Sequence, residues 1–259
     1  MGIYTNQIRD DGFGAQLQSL LWTILWVEIN NHEFVYTEID SFHHNYENDP
    51  LFVETLNTYM AIKKNYINIK DIQDISSIKI CNIPELYTSI ESNIDFYHNS
   101  EAIKKFKGFF YKEKISPFDS AYFNVAIHIR RTNSHDSRAL GTTVPNTYHI
   151  DIIKKICNDN PSRNIKFHIY SQGNIEDFQE IVNLTYSKPN KIWLKNIMQT
   201  YNIEFHLNES VLNTFNGMIF ADILTTTTSS FSYVAGLISN GIIYYKPFWH
   251  PPLSKWIIC

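Results

Sequence analysis

The sequence predicts an α/β fold with parallel sheets, on three observations. From Ser120 onward, apolar runs of strand length alternate with segments whose apolar residues recur at helical spacing. Strands that alternate with helices of this length form right-handed βαβ units on a parallel sheet. The chain has 259 residues, 44% hydrophobic and 19% charged, which is enough to bury a sizeable core and too apolar for a disordered chain. Only nine glycines occur, so each is expected to mark a turn or a close backbone approach.

Taken in order, Gly12 and Gly14 precede a helix over 15–29, in which Leu17, Leu20, Leu21, Ile24 and Leu25 share one stripe. Residues 33–39 read as a strand, and 50–64 as a helix with Leu51, Thr55 and Tyr59 on one side. Residues 65–114 carry no sustained period. Strands follow at 122–130, 165–171, 201–206, 222–226 and 242–245, separated by helices at 148–157, 176–184, 209–221 and 231–239. The change of pattern near Pro117 divides the chain into a less regular half, 1–117, and a Rossmann-like half, 118–259.

The charge balance excludes some functions. With 22 Lys and Arg against 26 Asp and Glu, the net charge of −4 leaves no broad basic surface, so no nucleic-acid partner is expected. Cys81, Cys157 and Cys259 are odd in number and lack zinc or redox spacing, which points to a reducing, cytoplasmic setting. The longest apolar stretch, 17–29, is too short to span a bilayer and contains Gln18, Thr23 and Glu28. Arg9, Asp10 and Asp11 before it do not form the cationic start of a signal peptide. No Asp-x-Asp or HExxH pair occurs, so neither a metal nor a coenzyme is expected. His43-His44 reads as an exposed loop pair, and Lys104, Lys105 and Lys107 as a solvated helix face.

In an open parallel sheet, ligands bind beyond the carboxyl ends of the strands. The strand ending at Arg130 places His128 and Arg130 on one face and Arg131 on the other. A guanidinium there suits a diphosphate, whose oxygens match its fork, or else pairs with a structural carboxylate. The Thr225–Ser232 segment joins a strand to a helix, and Ser229 or Ser230 can cap that helix. Its free N–H groups form an anion site, or the serine is an ordinary cap. Gly12-Phe13-Gly14-Ala15-Gln16-Leu17 is neither a Walker loop nor a dinucleotide fingerprint, and by itself reads as a tight turn starting a helix.

Together these segments resemble the fucosyltransferase superfamily of α1,2- and α1,6-fucosyltransferases and protein O-fucosyltransferases. Gly12 to Leu17 is similar to that family's Gly-x-Gly-Asn-Gln-Leu stretch, with Ala15 in place of Asn. His128-Ile129-Arg130-Arg131-Thr132-Asn133 resembles its His-x-Arg-Arg motif, with Asn133 in place of Asp, and Ser229-Ser230-Phe231-Ser232 resembles its C-terminal Ser-Ser-Phe-Ser. The resemblance implies a GT-B fold of two facing Rossmann-like halves, the acceptor on the N-terminal side and a nucleotide-sugar donor on the C-terminal side. It implies inverting, metal-independent transfer to a glycan hydroxyl, with GDP-fucose the leading donor. By position, Arg130 would contact the β-phosphate, His128 would line the nucleotide pocket and Ser230 would touch the diphosphate. Thr214 stands where α1,6-type relatives carry an Asp that reads guanine, which leaves another nucleotide sugar, such as a UDP-sugar, open. Their catalytic Glu is missing from the loop after the first motif strand, so Asp136, then His135, are the candidate bases. A non-catalytic nucleotide- or glycan-binding protein would keep the same phosphate site. A small kinase or nucleotidase would need a Walker loop or paired metal-binding carboxylates, which do not occur.

Overall fold

Three-residue strands are all that the early part of the chain forms, and this is why its periodicity is weak. The computed structural model describes residues 1–45, 47–131, 143–185 and 201–259. They fall into two units: Met1–Ile115 with Tyr233–Ile238 and Phe248–Lys255, and Ser116–Ser232 with Ser239–Pro247 and Trp256–Cys259.

In the first unit, β1 (Ile3–Thr5) lies between β2 (Glu33–Val35) and β3 (Ile78–Ile80), all parallel. Between β1 and β2 runs α1 (Phe13–Ile29), in which polar Gln16, Gln18, Ser19 and Thr23 are buried along with the leucine stripe. The strand expected over 33–39 stops at Val35, because Asn6 then takes over the pairing. Its side chain accepts the Thr37 N–H and donates to the Thr37 carbonyl, both at 2.9 Å. α2 (Phe52–Met60) is shorter than the expected 50–64, since Ala61 adopts the left-handed conformation at φ 58° and ends it. Residues 65–114 hold α3 (Ile83–Glu91), α4 (Ile94–His98) and α5 (Glu101–Tyr111). The Asn82 side chain caps α3 and Ser100 caps α5.

The second unit carries six parallel strands: β4 (Phe123–His128), β5 (Ile165–Ser171), β6 (Ile203–Leu207), β7 (Ile223–Thr225), β8 (Ile242–Tyr245) and β9 (Ile257–Ile258). Their order is β6-β5-β4-β7-β8-β9. The connecting helices are α6 (Asn146–Asp159), α7 (Gln179–Val182), α8 (Val211–Phe220) and α9 (Ser230–Ile238). The single helix expected at 176–184 is a 3₁₀ turn, Ile175–Phe178, running into the one-turn α7. Val125, Ile127 and Ile129 of the first strand and its exit join Ile152, Ile153 and Ile156 of α6 in one buried cluster. Even-numbered residues of β4 and β5 face the other way, where the His128 ring meets Phe231 and Tyr170 lies under Gly217 of α8. The α/β class and the parallel sheets expected from the sequence are what the structure contains.

Candidate anion site at the strand ends of the second unit

The strand order places a topological switch between β4 and β7. From β4 the chain steps to β5 and β6 on one side, and from β7 to β8 and β9 on the other. The crevice beyond the carboxyl ends at such a reversal is where open parallel sheets bind ligands. Arg130 follows β4 and the Thr226–Ser229 turn follows β7, so both leave the sheet at this point.

Arg130 is half-buried, and its Nη1 donates to the Thr228 carbonyl at 3.0 Å. The guanidinium is thereby held beside the turn that opens α9. Within that turn the Thr227 N–H donates to Ser232 Oγ at 3.2 Å, and Ser232 Oγ–H donates to the Ser229 carbonyl at 3.3 Å. Ser229 Oγ accepts the Phe231 N–H at 3.3 Å, so this serine caps the helix, while Ser230 is the first helical residue and half-buried. A guanidinium beside a helix start is a pairing that favours an anion.

Two buried polar atoms on these strand ends have no hydrogen-bond partner among the described residues, His128 Nδ1 and Thr227 Oγ1. Buried polar atoms are otherwise almost always bonded, so both are open to a ligand or water. The His128 pKa is pushed down to about 3, by burial first and then by Arg130, which keeps the imidazole neutral. His149 of α6 is pushed to about 3 as well, by burial and then by Arg131, His128 and Lys246. The charged side chains that act on the two rings, Arg130 on His128 and Arg131 and Lys246 on His149, are all cationic.

Arg131, on the opposite face, is committed to structure: it donates to the Val144 carbonyl at 2.7 Å and to Asn146 Oδ1, and lies over the Phe178 ring. Lys246 carries no motif in the sequence, although it is the first residue after the β8 strand. Its N–H donates to Thr226 Oγ1 at 3.3 Å and its ammonium lies 4.6 Å from the Tyr148 ring centre. Thr214 sits half-buried in the first turn of α8, next to Phe215, whose ring packs on Phe231 at 5.4 Å. His135 and Asp136 lie outside the described residues.

Gly12 and Gly14 belong to the first unit, where Gly12 is the N-cap of α1 and Gly14 is buried in its first turn. A Cβ on Gly12 would stand 2.8 Å from the His44 ring, so a side chain there would have to push that half-buried ring aside. Around this turn lies a polar cluster that sequence reasoning misses. Arg9 donates to Ser19 Oγ at 3.1 Å and Tyr87 Oη at 3.2 Å, and Gln16 Nε2 donates to the Ser41 carbonyl at 2.6 Å. Arg9 stands before the helix, outside any period, and gives no signal of this pairing.

The buried histidines set a pH dependence. Folded His128 and His149 titrate at about 3, whereas unfolded histidine titrates near 6.5. Between those values the unfolded chain binds more protons, so stability falls as pH drops from about 6.5 toward 3. Each ring contributes at most about 1.4 kcal/mol per pH unit. Urea midpoints should fall across pH 6.5 to 4.5, and His149→Phe should flatten that slope; an unchanged slope in the variant would contradict the assignment.

No protein-family model matches this chain, and no curated protein does. Solved structures similar to it include NodZ α-1,6-fucosyltransferase soaked with GDP-fucose, an enzyme solved from Bradyrhizobium. That likeness has 12% identity and a TM-score of 0.47, over 94% of this chain and 95% of the other. A point mutant of Arabidopsis thaliana FUT1 in complex with GDP is 12% identical at a TM-score of 0.46, over 99% of this chain and 72% of that one. E. coli heptosyltransferase WaaC with ADP-2-deoxy-2-fluoro heptose is 11% identical at a TM-score of 0.44, over 100% and 93%. Function is therefore argued from this chain's own residues. Among the described residues, no helix is long and apolar enough to cross a membrane.

Proposed function

We propose that this chain is a glycosyltransferase that takes a sugar from a nucleoside diphosphate and passes it to a glycan hydroxyl with inversion. The observation that carries the reading is Arg130 held on the Thr228 carbonyl at the β4/β7 switch, beside the start of α9. As the sugar leaves, negative charge grows on the departing diphosphate. Arg130 and the first N–H groups of α9 are positive groups already in place to stabilise it. His128 stays neutral beside them and offers a hydrogen bond through Nδ1 in one tautomer or accepts one in the other. With cationic groups supplying this stabilisation, transfer needs no divalent ion and should persist in chelator. Asp136 is the proposed general base and His135 the second choice, with GDP-fucose the leading donor.

At the guanine-reading position suggested by the family resemblance, Thr214 presents one hydroxyl in place of a carboxylate that accepts two N–H bonds. Guanine discrimination should therefore be weak. The test is a thermal-shift and donor-hydrolysis panel of GDP-fucose, UDP-sugars and ADP-sugars with the free nucleotides. Stabilisation by a nucleoside diphosphate together with slow release of free sugar is expected. Stabilisation by UDP and not GDP would overturn the fucose donor. Stabilisation without turnover across donors and acceptor glycans would favour a binding protein, and no response to any diphosphate would remove the site itself.

A further inference from the structure

We propose that His168, Glu204 and His206 bind one divalent transition-metal ion of the zinc class at the β5–β6 edge of the second unit. The strands are parallel, with His168 opposite Glu204 and Tyr170 opposite His206, so the three side chains share one face. One ligand atom from each lies within 4.8 Å of the other two. His168 Nδ1 and His206 Nε2 are 3.0 Å apart, and His168 Nδ1 is 3.8 Å from Glu204 Oε2.

The hydrogen bonds behind the two rings decide what the facing nitrogens carry. Asn124 Nδ2 donates to the Asp119 and Tyr122 carbonyls, both at 3.0 Å, so its Oδ1 must be the atom turned to His168 Nε2, at 3.1 Å. That oxygen only accepts, hence His168 Nε2 bears the proton and Nδ1 a lone pair. On the other ring, His206 Nδ1 lies 2.8 Å from the Glu209 carboxylate and bears the proton, which leaves a lone pair on Nε2. With both imidazoles neutral, two lone pairs therefore face each other across 3.0 Å. Only a positive centre between them, a shared proton or a metal ion, removes that repulsion. An acceptor behind each ligating imidazole is the arrangement that orients histidines on metals.

The third group favours the ion. With Zn–N bonds of about 2.0–2.1 Å, tetrahedral ligands stand about 3.3 Å apart, close to the spacing found, and a carboxylate completes a two-histidine set with one position open to water. The rings are already fixed: His168 is buried against Phe118, and His206 stacks on Tyr170 with centroids 4.6 Å apart. Glu204 is exposed enough for an ion to enter, and its carboxylate is shared with Lys166 Nζ at 2.6 Å. Bound metal would staple the edge strand β6 to β5. This site does not use Arg130, so it stands or falls separately from sugar transfer.

The full-length chain, stripped with chelator, is titrated with Zn²⁺ in calorimetry and with Co²⁺ followed by visible absorption. One ion per chain, an intense four-coordinate Co²⁺ spectrum and a raised melting temperature are expected. His206→Ala should weaken binding by more than the roughly 10–100-fold typical of losing a mere outer partner. Lys166→Met should tighten it by releasing Glu204, and this variant keeps all three ligands should His206→Ala fail to fold. The His43–His44 pair, expected to be exposed, is half-buried, with His43 Nε2 2.6 Å from Asp10; His43→Ala, in the other unit, should leave metal binding unchanged. Absence of Zn²⁺ and Co²⁺ binding by the wild-type chain would assign a shared proton to the gap, and binding unchanged in both His206→Ala and Lys166→Met would place the ion elsewhere; either result overturns the proposal.

Discussion

Arg130→Ala is expected to abolish most sugar transfer and to weaken nucleoside-diphosphate binding. Removing one donor that meets developing negative charge typically costs about 10²–10³ in rate. The side chain is half-buried and tethered through Nη1 to the Thr228 carbonyl, so the guanidinium is held in place beside the turn and needs little reorganisation on binding. Arg130→Lys should recover little, because an ammonium keeps the charge without the fork and cannot hold Thr228 while reaching a phosphate in the same geometry. Arg131→Ala is the informative contrast. That residue bonds the Val144 carbonyl and Asn146 at the start of α6, so its loss should lower stability more than nucleotide affinity in the folded protein. Calorimetry showing unchanged nucleoside-diphosphate affinity in folded Arg130→Ala would remove the residue from the site.

How far the fold can be read in advance follows from element length. In the second unit, β4 and β5 have six and seven residues, long enough for apolar runs to stand out between helical periods. In the first unit β1, β2 and β3 have three residues each, and alternation over three residues has no statistical weight. α3 leaves little trace for a related reason, since it buries only Leu86 and Ile90. The caps Asn82 and Ser100 are the legible signals in that stretch. The strand-end site is readable at Arg130, His128 and Ser229 because each is local to one strand end. The bond from Arg130 to Thr228 spans 98 positions and cannot be read. The same holds for His168 and His206, which meet only through the β5–β6 register. In the sequence Thr227 looks like any other residue of a threonine run; Thr225 and Thr226 are equally buried, and only the Thr227 hydroxyl, unpaired among the described residues, sets it apart.

Gly241→Ala should cost about 3 kcal/mol or more, at the upper end of what overpacking does. A Cβ there would lie 2.3 Å from the Ala221 carbonyl oxygen and 2.8 Å from that of Asp222, contacts that no side-chain rotation relieves. Nor can that backbone yield easily. The Asp222 carbonyl accepts the Ile242 N–H at 2.9 Å, its N–H donates to the Asn124 carbonyl at 2.9 Å, and its carboxylate accepts the Asn124 N–H at 2.8 Å. The start of β7 is thus held between β4 and β8, and room for a methyl group at Gly241 requires β8 to slide from β7. Gly108→Ala is the control: it is exposed within α5 and its Cβ would meet nothing within 4 Å. That change should stabilise by about 0.5–1 kcal/mol through helix propensity. Urea denaturation separates the two, and a Gly241→Ala midpoint equal to wild type would mean that the β7–β8 start tolerates a side chain. Nucleotide affinity should fall with Gly241→Ala as well, because Thr226 is bonded to β8 through the Tyr244 carbonyl at 2.9 Å and the Lys246 N–H at 3.3 Å. Moving β8 therefore moves the turn that holds Arg130, so a variant that melts early yet binds nucleoside diphosphate at full strength would separate the strand register from the anion site.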